Sequence, residues 1–160
     1  MRSSFLLMTA AALLTGCGGA PVTKEEASKP VPAVQQRIPP SPEDMRFPAE
    51  GRIEVVQSAD PLYGKPFLAG GNIARYKRGA KQFELFLIRC KDEAAPASMM
   101  FNYKKTLSDP KFVAHFGGYA GQDAGVVVFM FTKGVWLAGI RGLPQAEADA
   151  LARDFASRLN

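Results

Sequence analysis

Two apolar runs, Val126-Val127-Val128-Phe129-Met130-Phe131 and Val135-Trp136-Leu137-Ala138-Gly139-Ile140, stand either side of Lys133-Gly134. Their apolar residues are consecutive, not alternate. A strand of this kind has to be covered on both faces, because successive side chains point to opposite sides of the sheet. Lys133-Gly134 makes a tight hairpin turn between the two strands, Gly125–Thr132 and Val135–Arg141. Large uncovered apolar areas are scarce on soluble monomers. Residues 46–70, with Phe47, Leu62, Tyr63 and Phe67, are therefore expected to fold across whichever face the helices leave open. The other occupant to consider is a partner protein or a lipid-like ligand.

The rest of the body fits the same plan. Asn72–Lys77 and Gln82–Cys90 read as strands joined by a turn at Arg78-Gly79-Ala80-Lys81, where glycine can take positive φ. Phe83, Leu85 and Leu87 alternate with Gln82 and Glu84, which directs one side to a core. Asp92–Ser108 reads as a helix whose regular part starts near Ala95, since Pro96 is tolerated only in a first turn. Asp92 and Glu93 suit its N-terminal dipole. Ala97, Met100, Phe101 and Leu107 form its apolar stripe, and Asp109-Pro110 ends it. A strand at Lys111–Phe116 and a Gly-rich connection follow, then the two apolar strands. Pro144 opens a final helix at its first position, with Ala148, Leu151, Ala152, Phe155 and Leu159 on one side. The predicted order is β-β-α-β-β-β-α, with room for a further short strand at Gly51–Val56. The class is α+β: an antiparallel sheet of five or six strands with two helices packed on one face.

Composition sets the limits of this body. Of 160 residues, 47% are apolar and 22% charged, enough to bury a core and too many for a wholly disordered chain. The length supports one domain. No apolar run reaches the 18 to 20 residues that a spanning helix needs, which excludes a polytopic membrane protein. Proline is unevenly placed. Pro21, Pro30, Pro32, Pro39, Pro40, Pro42 and Pro48 crowd into one tract, and the other five of the 12 prolines are scattered beyond it. Residues 18–45 lack helical or strand periodicity and are rich in Pro, Lys, Glu and Gln, so they cannot repay the entropy of ordering. As polyproline they would reach about 87 Å, and as a flexible coil about 30 Å. They read as a spacer. Pro39-Pro40-Ser41-Pro42 as a recognition motif is the weaker reading.

Residues 1–16, MRSSFLLMTAAALLTG, have a short positive start at Arg2 and an apolar run from Phe5 to Leu14. This is the layout of a secretory signal peptide, too short to span a bilayer. Leu14-Thr15-Gly16-Cys17 closes it. These four residues resemble the lipobox of bacterial lipoproteins. The resemblance implies cleavage before Cys17, a thioether-linked diacylglycerol on its sulfur and an acyl chain on its amine. Each buried CH₂ contributes about 0.8 kcal/mol, so two or three chains hold firmly where one does not. Against a plain cleaved signal stands the liability of a free exposed thiol in an oxidising compartment. Position 18 is Gly. In Gram-negative lipoproteins an Asp there commonly marks retention in the inner membrane, so the resemblance implies the outer membrane, facing the periplasm. The domains are thus 1–16 signal, 17–45 lipidated cysteine and tether, and 46–160 body. The body also resembles some uncharacterised bacterial α+β domain families, in which a Gly-Gly turn enters a strand ending in Tyr, as in Gly70–Tyr76. That resemblance carries no known active site.

The chain offers little recognisable chemistry. His115 is the single histidine, and no two of His, Cys, Asp and Glu show metal-ligand spacing. Between Val113 and Phe116 it reads as a strand-face residue with a local hydrogen bond. Neither Gly-x-Ser-x-Gly nor Ser-x-x-Lys occurs. Cys90 is flanked by Arg89 and Lys91, which would lower a thiol pKa. With no second cysteine in the mature body, it reads better as a structural thiol. Gly117–Gly125 lacks the helix and the Lys-Ser/Thr of a phosphate loop and reads as a flexible hairpin connection. Arg75, Lys77, Arg78 and Lys81 gather at one hairpin and could meet an anionic partner or headgroups, or be a solvated tip. Net charge is +5, one less once Arg2 leaves with the signal, which is not a nucleic-acid profile.

The expectation is a non-enzymatic envelope lipoprotein, held to the membrane through Cys17 and needing no cofactor. Its α+β body would bind another envelope component, an envelope protein in the first instance. The alternative is a carrier of a small hydrophobic or lipid ligand, for which a deep cavity lined by Phe129, Phe131, Trp136 and Phe101 would speak. A packed core with an apolar patch outside favours partner binding. A cleft joining His115 to a carboxylate and a hydroxyl would favour an enzyme.

Overall fold

The computed structural model describes residues 41–160; the signal, Cys17 and most of the tether lie outside the described residues. The elements in chain order are β1 (Arg52–Ser58), β2 (Gly71–Arg78), β3 (Lys81–Arg89), α1 (Ala95–Lys104), β4 (Ser108–Val113), β5 (Gly118–Asp123), β6 (Val126–Lys133), β7 (Trp136–Arg141) and α2 (Gln145–Ser157). The strands form one antiparallel sheet of seven in the order β1-β2-β3-β7-β6-β5-β4. The class is α+β as the sequence predicts, with the Gly51–Val56 strand present and one more strand than expected.

That extra strand is β5, in the stretch read as a loop. Its glycines serve close approach, not flexibility. A Cβ on Gly118 would lie 2.2 Å from the Met130 carbonyl oxygen, and one on Gly121 would press on Leu107 and Ser108. The turn proper is only Ala124-Gly125, both at positive φ, the two-residue hairpin geometry. The strand expected at 111–116 correspondingly sits earlier, and Ala114–Phe116 form a 3-10 turn.

The two helices do not share a face. Alternation splits every central strand between two cores. On one side α2 brings Ala148, Leu151, Ala152, Phe155 and Leu159 onto Leu85, Phe129, Phe131, Trp136 and Ile140. On the other, α1 brings Met100, Tyr103 and Leu107 onto Phe86, Ile88, Val128, Met130 and Leu137, joined by Leu62 and Leu68. One-sided helices would have left the second apolar set in water, at about 25 cal/mol per Å². The connection explains the split. From β3, in mid-sheet, the chain must reach β4 at the far edge, and α1 makes that crossing over one face. β4 to β7 then meander back to pair with β3, which frees α2 for the opposite face. Residues 46–70 divide likewise. Leu62, Tyr63, Phe67 and Leu68 join α1, whereas Phe47 stacks on Phe155 at 5.3 Å on the α2 side. The expected border of the body, at 46, falls inside a 3-10 turn, Asp44–Arg46. Arg52 anchors that turn by donating to the carbonyls of Asp44 and Phe47.

Within α1 the stripe is rotated from the expected one. Pro96, Met100 and Tyr103 face in, with Leu107 beyond a helix that ends at Lys104 and not at Ser108, while Ala97 and Phe101 face out. Asp92 stands before the helix, its carboxylate accepting from the backbone N–H groups of Ala94 and Ala95.

Candidate functional site

Cross-strand register lays out the α1 side of the sheet in rows. Val56, Ile73, Phe86, Gly139, Met130, Tyr119 and Phe112 are successive partners and make an apolar row. Gly139 has to lack a side chain there, since a Cβ would stand 2.4 Å from the Phe86 ring. The next row of that face is charged with alternating sign: Glu54, Arg75, Glu84 and Arg141, on β1, β2, β3 and β7. Arg75 pairs with Glu54 at 2.5 Å and with Glu84 at 3.5 Å.

Arg141 continues this row into a nearly buried cluster. Asp123, at the end of β5, receives hydrogen bonds from Lys65 (2.9 Å), the Tyr103 hydroxyl (2.9 Å) and Arg141 (3.1 Å). Burial pushes the Asp123 carboxyl up, but the donors Lys65 and Tyr103 and the charges of Lys65 and Arg141 outweigh it, and its pKa lies below the ordinary value. The Tyr103 phenol is pushed up, by burial first and by Asp123 in addition. The Arg141 guanidinium also lies 3.9 Å from the Tyr63 ring centre. The Tyr63 hydroxyl is buried, with no hydrogen-bond partner among the described residues; burial and the charge of Glu84 raise its pKa. This cluster fixes the 62–68 segment and α1 to the sheet. Where it reaches the surface, a groove of about 400 Å³ opens, lined by Ile53, Arg75, Gln82, Glu84, Val126 and Arg141. Ile53 and Val126 are exposed there at 62% and 37%, one on each side of the charged row, so this end of the sheet is uncovered.

The four hairpin cations lie on two faces of the sheet. Strand alternation puts Arg75 and Lys77 on the α1 side and Arg78 and Lys81 on the other. Lys81 is bound by Glu147 of α2 at 2.7 Å, and Arg78 lies over the Phe83 ring. Arg75 is held by its two glutamates. Lys77 is exposed beside the groove's Gln82, its register partner.

His115 sits in the 3-10 turn and not on a strand face, and its Nε2 bonds the Asp149 carboxylate of α2. That hydrogen bond, with one from Arg153, holds the Asp149 carboxyl below its ordinary value. A depression of about 420 Å³ adjoins, lined in part by Thr132, Lys133 and Ser157. The Ser157 hydroxyl donates to the Asp154 carbonyl, and among the described residues no hydroxyl bonds the His115 ring. Histidine and carboxylate are thus together at a depression that the Thr132 and Ser157 side chains also line. Cys90 is buried against Met99, and burial, then Asp92, raise its thiol pKa, opposite to the lowering that Arg89 and Lys91 suggest in sequence. Such a thiol is a poor nucleophile.

Sequence reasoning missed Asp123, Lys65, Tyr103 and Arg141, which come from four separate segments with no local motif. It also placed Phe101 inside. Phe129, Phe131 and Trp136 are packed in the α2 core and Phe101 lies outside, so these four line no common cavity. Compared with family models, curated proteins and solved structures, the chain matches none.

Proposed function

We propose that this chain is a lipid-anchored envelope protein whose body works by binding a second envelope protein, not by catalysis. The groove between Ile53 and Val126 carries the binding part of this reading. It is the uncovered end of the α1-side sheet face, where the charges of Arg75, Glu84 and Arg141 stand in fixed alternation between the exposed side chains of Ile53 and Val126. An ordered charged row flanked by exposed apolar side chains offers a protein partner both electrostatic register and apolar area to bury. Arg75 and Lys77, two of the four hairpin cations, face it. The carrier alternative draws no support from the packing of Phe129, Phe131 and Trp136. The anchor rests on Leu14-Thr15-Gly16-Cys17, and placement at the outer membrane on Gly18.

Two experiments test the two halves. Cys17→Ser should move the protein from the membrane to the soluble fraction; retention at the membrane refutes the lipid anchor. A photo-crosslinking residue at Val126 in the native envelope should yield one discrete adduct by mass spectrometry, lost in Ile53→Asp. Only self-adducts or none would refute the groove as a partner's seat.

A further inference from the structure

A helix that covers a core ordinarily turns charge outward. α1 turns out charge of one sign only. From Ala95 to Ser108 the chain has no carboxylate, and its outer side presents Ala97, Ser98, Phe101 and Asn102, with Lys104 and Lys105 at its end. Phe101 is 52% exposed, and Phe112 of the neighbouring edge strand 61%. The side chains are contiguous. Lys105 Nζ lies 4.4 Å from the Phe101 ring centre, Lys104 Nζ lies 6.0 Å from Phe101 and 4.5 Å from Tyr119, and Tyr119 packs on Phe112 at 5.4 Å. The nearest acid in sequence, Asp109, is tied to Lys111 at 3.1 Å.

We propose that this side of the body, Phe101 and Phe112 with Lys104 and Lys105, seats on an anionic phospholipid surface. Charge complementarity and side-chain type select the occupant. Two phenyl rings without polar atoms suit the boundary between headgroups and acyl chains, and lysine stems can lie along the rings while their ammonium groups reach lipid phosphates. Protein contacts also use aromatic rings but are depleted in lysine and favour arginine in fixed geometry. Physiological use of the patch rests on the lipid-anchor reading, in which the tether keeps the body near a bilayer and a weak contact suffices. The patch's own affinity does not depend on it.

The test uses residues 38–160, which contain both cores complete, with vesicles of phosphatidylcholine alone or mixed with phosphatidylglycerol. The protein should sediment with the mixed vesicles and not with the neutral ones. Phe101→Ser and Phe112→Ser should each weaken that binding on the order of tenfold, and Lys104→Glu with Lys105→Glu more than tenfold. Arg153→Glu, on the opposite, α2 side, should leave it unchanged. Far-ultraviolet circular dichroism should be the same for all variants. No sedimentation with the mixed vesicles overturns the proposal. Equal loss in Arg153→Glu also overturns it, since binding would then be diffuse charge attraction. A photo-crosslinker at position 101 that captures a single protein in place of lipid does the same. The intact mass of the native product at Cys17 tests the anchor separately, so either idea can fail without the other.

Discussion

α2 and α1 finish opposite faces of the same sheet in opposite ways. α2 lays 13 residues on its face and shows Glu147, Arg153 and Asp154 to water. α1 lays 10 on the other, needs Leu62 and Leu68 to complete the cover, and shows Ala97 and Phe101. The α2 core is hydrocarbon, with the Phe155 ring against both Phe47 and Phe131, and its ion pairs, Lys81–Glu147 and His115–Asp149, lie at the solvent-facing rim. The α1 face is closed partly by ions, around Asp123. An apolar seal is insensitive to pH and salt, whereas an ionic one depends on every partner keeping its charge. The difference teaches that shape and stability reside chiefly on the α2 side, and that the α1 side carries the features open to outside contact.

The comparison breaks most visibly at Phe155. Phe155→Ala should cost about 3 to 5 kcal/mol, because the ring is fully buried between Phe47 and Phe131 and the site cannot collapse around so large a loss. Denaturant titration followed by tryptophan fluorescence, with Trp136 in the same core, reads it directly. A loss under about 1 kcal/mol would mean that α2 is dispensable and the asymmetry misjudged.

Next comes the ionic seal. Asp123→Asn leaves Lys65 and Arg141 nearly buried without their common anion, and should cost about 3 kcal/mol. Its signature is the pH profile. The folded pKa of Asp123 lies below the unfolded one, so its contribution is complete above the unfolded value, near 4. It is lost as pH falls through the lower, folded value. Wild type should therefore lose stability below about pH 4, and Asp123→Asn should show a shallower acid limb. Identical acid limbs would place the acid-sensitive group elsewhere, with Asp149 on the α2 side, also lowered, as the next to test.

How much of this was legible in the chain follows from the physics of each part. The two consecutive apolar runs demanded cover on both faces, and α2's stripe from Ala148 to Leu159 was readable residue by residue, because a long helix with one apolar side leaves no ambiguity of phase. α1 is short and apolar nearly all round, so periodicity could not fix its phase, and Phe101 was assigned inward in place of Tyr103. β5 was hidden because Gly118 and Gly121 look like loop residues until the strand crowding them is known. The Asp123 cluster has no local signal at all: its members lie 58, 20 and 18 residues from Asp123 and meet only through the register of β5 and β7 and the crossing of α1. One legible sign of the outer patch was passed over, the absence of any acid between Ala95 and Ser108 beside two lysines.

A smaller effect belongs to Gly139. Gly139→Ala adds one methyl where Phe86 lies flat over the backbone, 2.4 Å from the new carbon, so the ring or the strand must shift. The cost should be about 1 to 3 kcal/mol. Pairing it with Phe86→Leu relieves the crowding, and the double variant should be less destabilised than the two single losses added together. Strict additivity would mean that the ring does not hold this glycine in place.

The smallest expected effect is the most telling for the comparison. Phe101→Ser removes a large apolar side chain from α1, yet stability should change by less than about 0.5 kcal/mol, since the ring is half in water and its lysine contacts are exposed. Set beside Phe155→Ala, this contrast of two helix phenylalanines separates a residue kept for folding from one kept for contact. A chain that retains Phe101 for stability would lose as much there as a buried position does. In that case Phe101 would be packed inward in solution, α1 would sit rotated toward the stripe read from sequence, and no apolar patch would face outward from it.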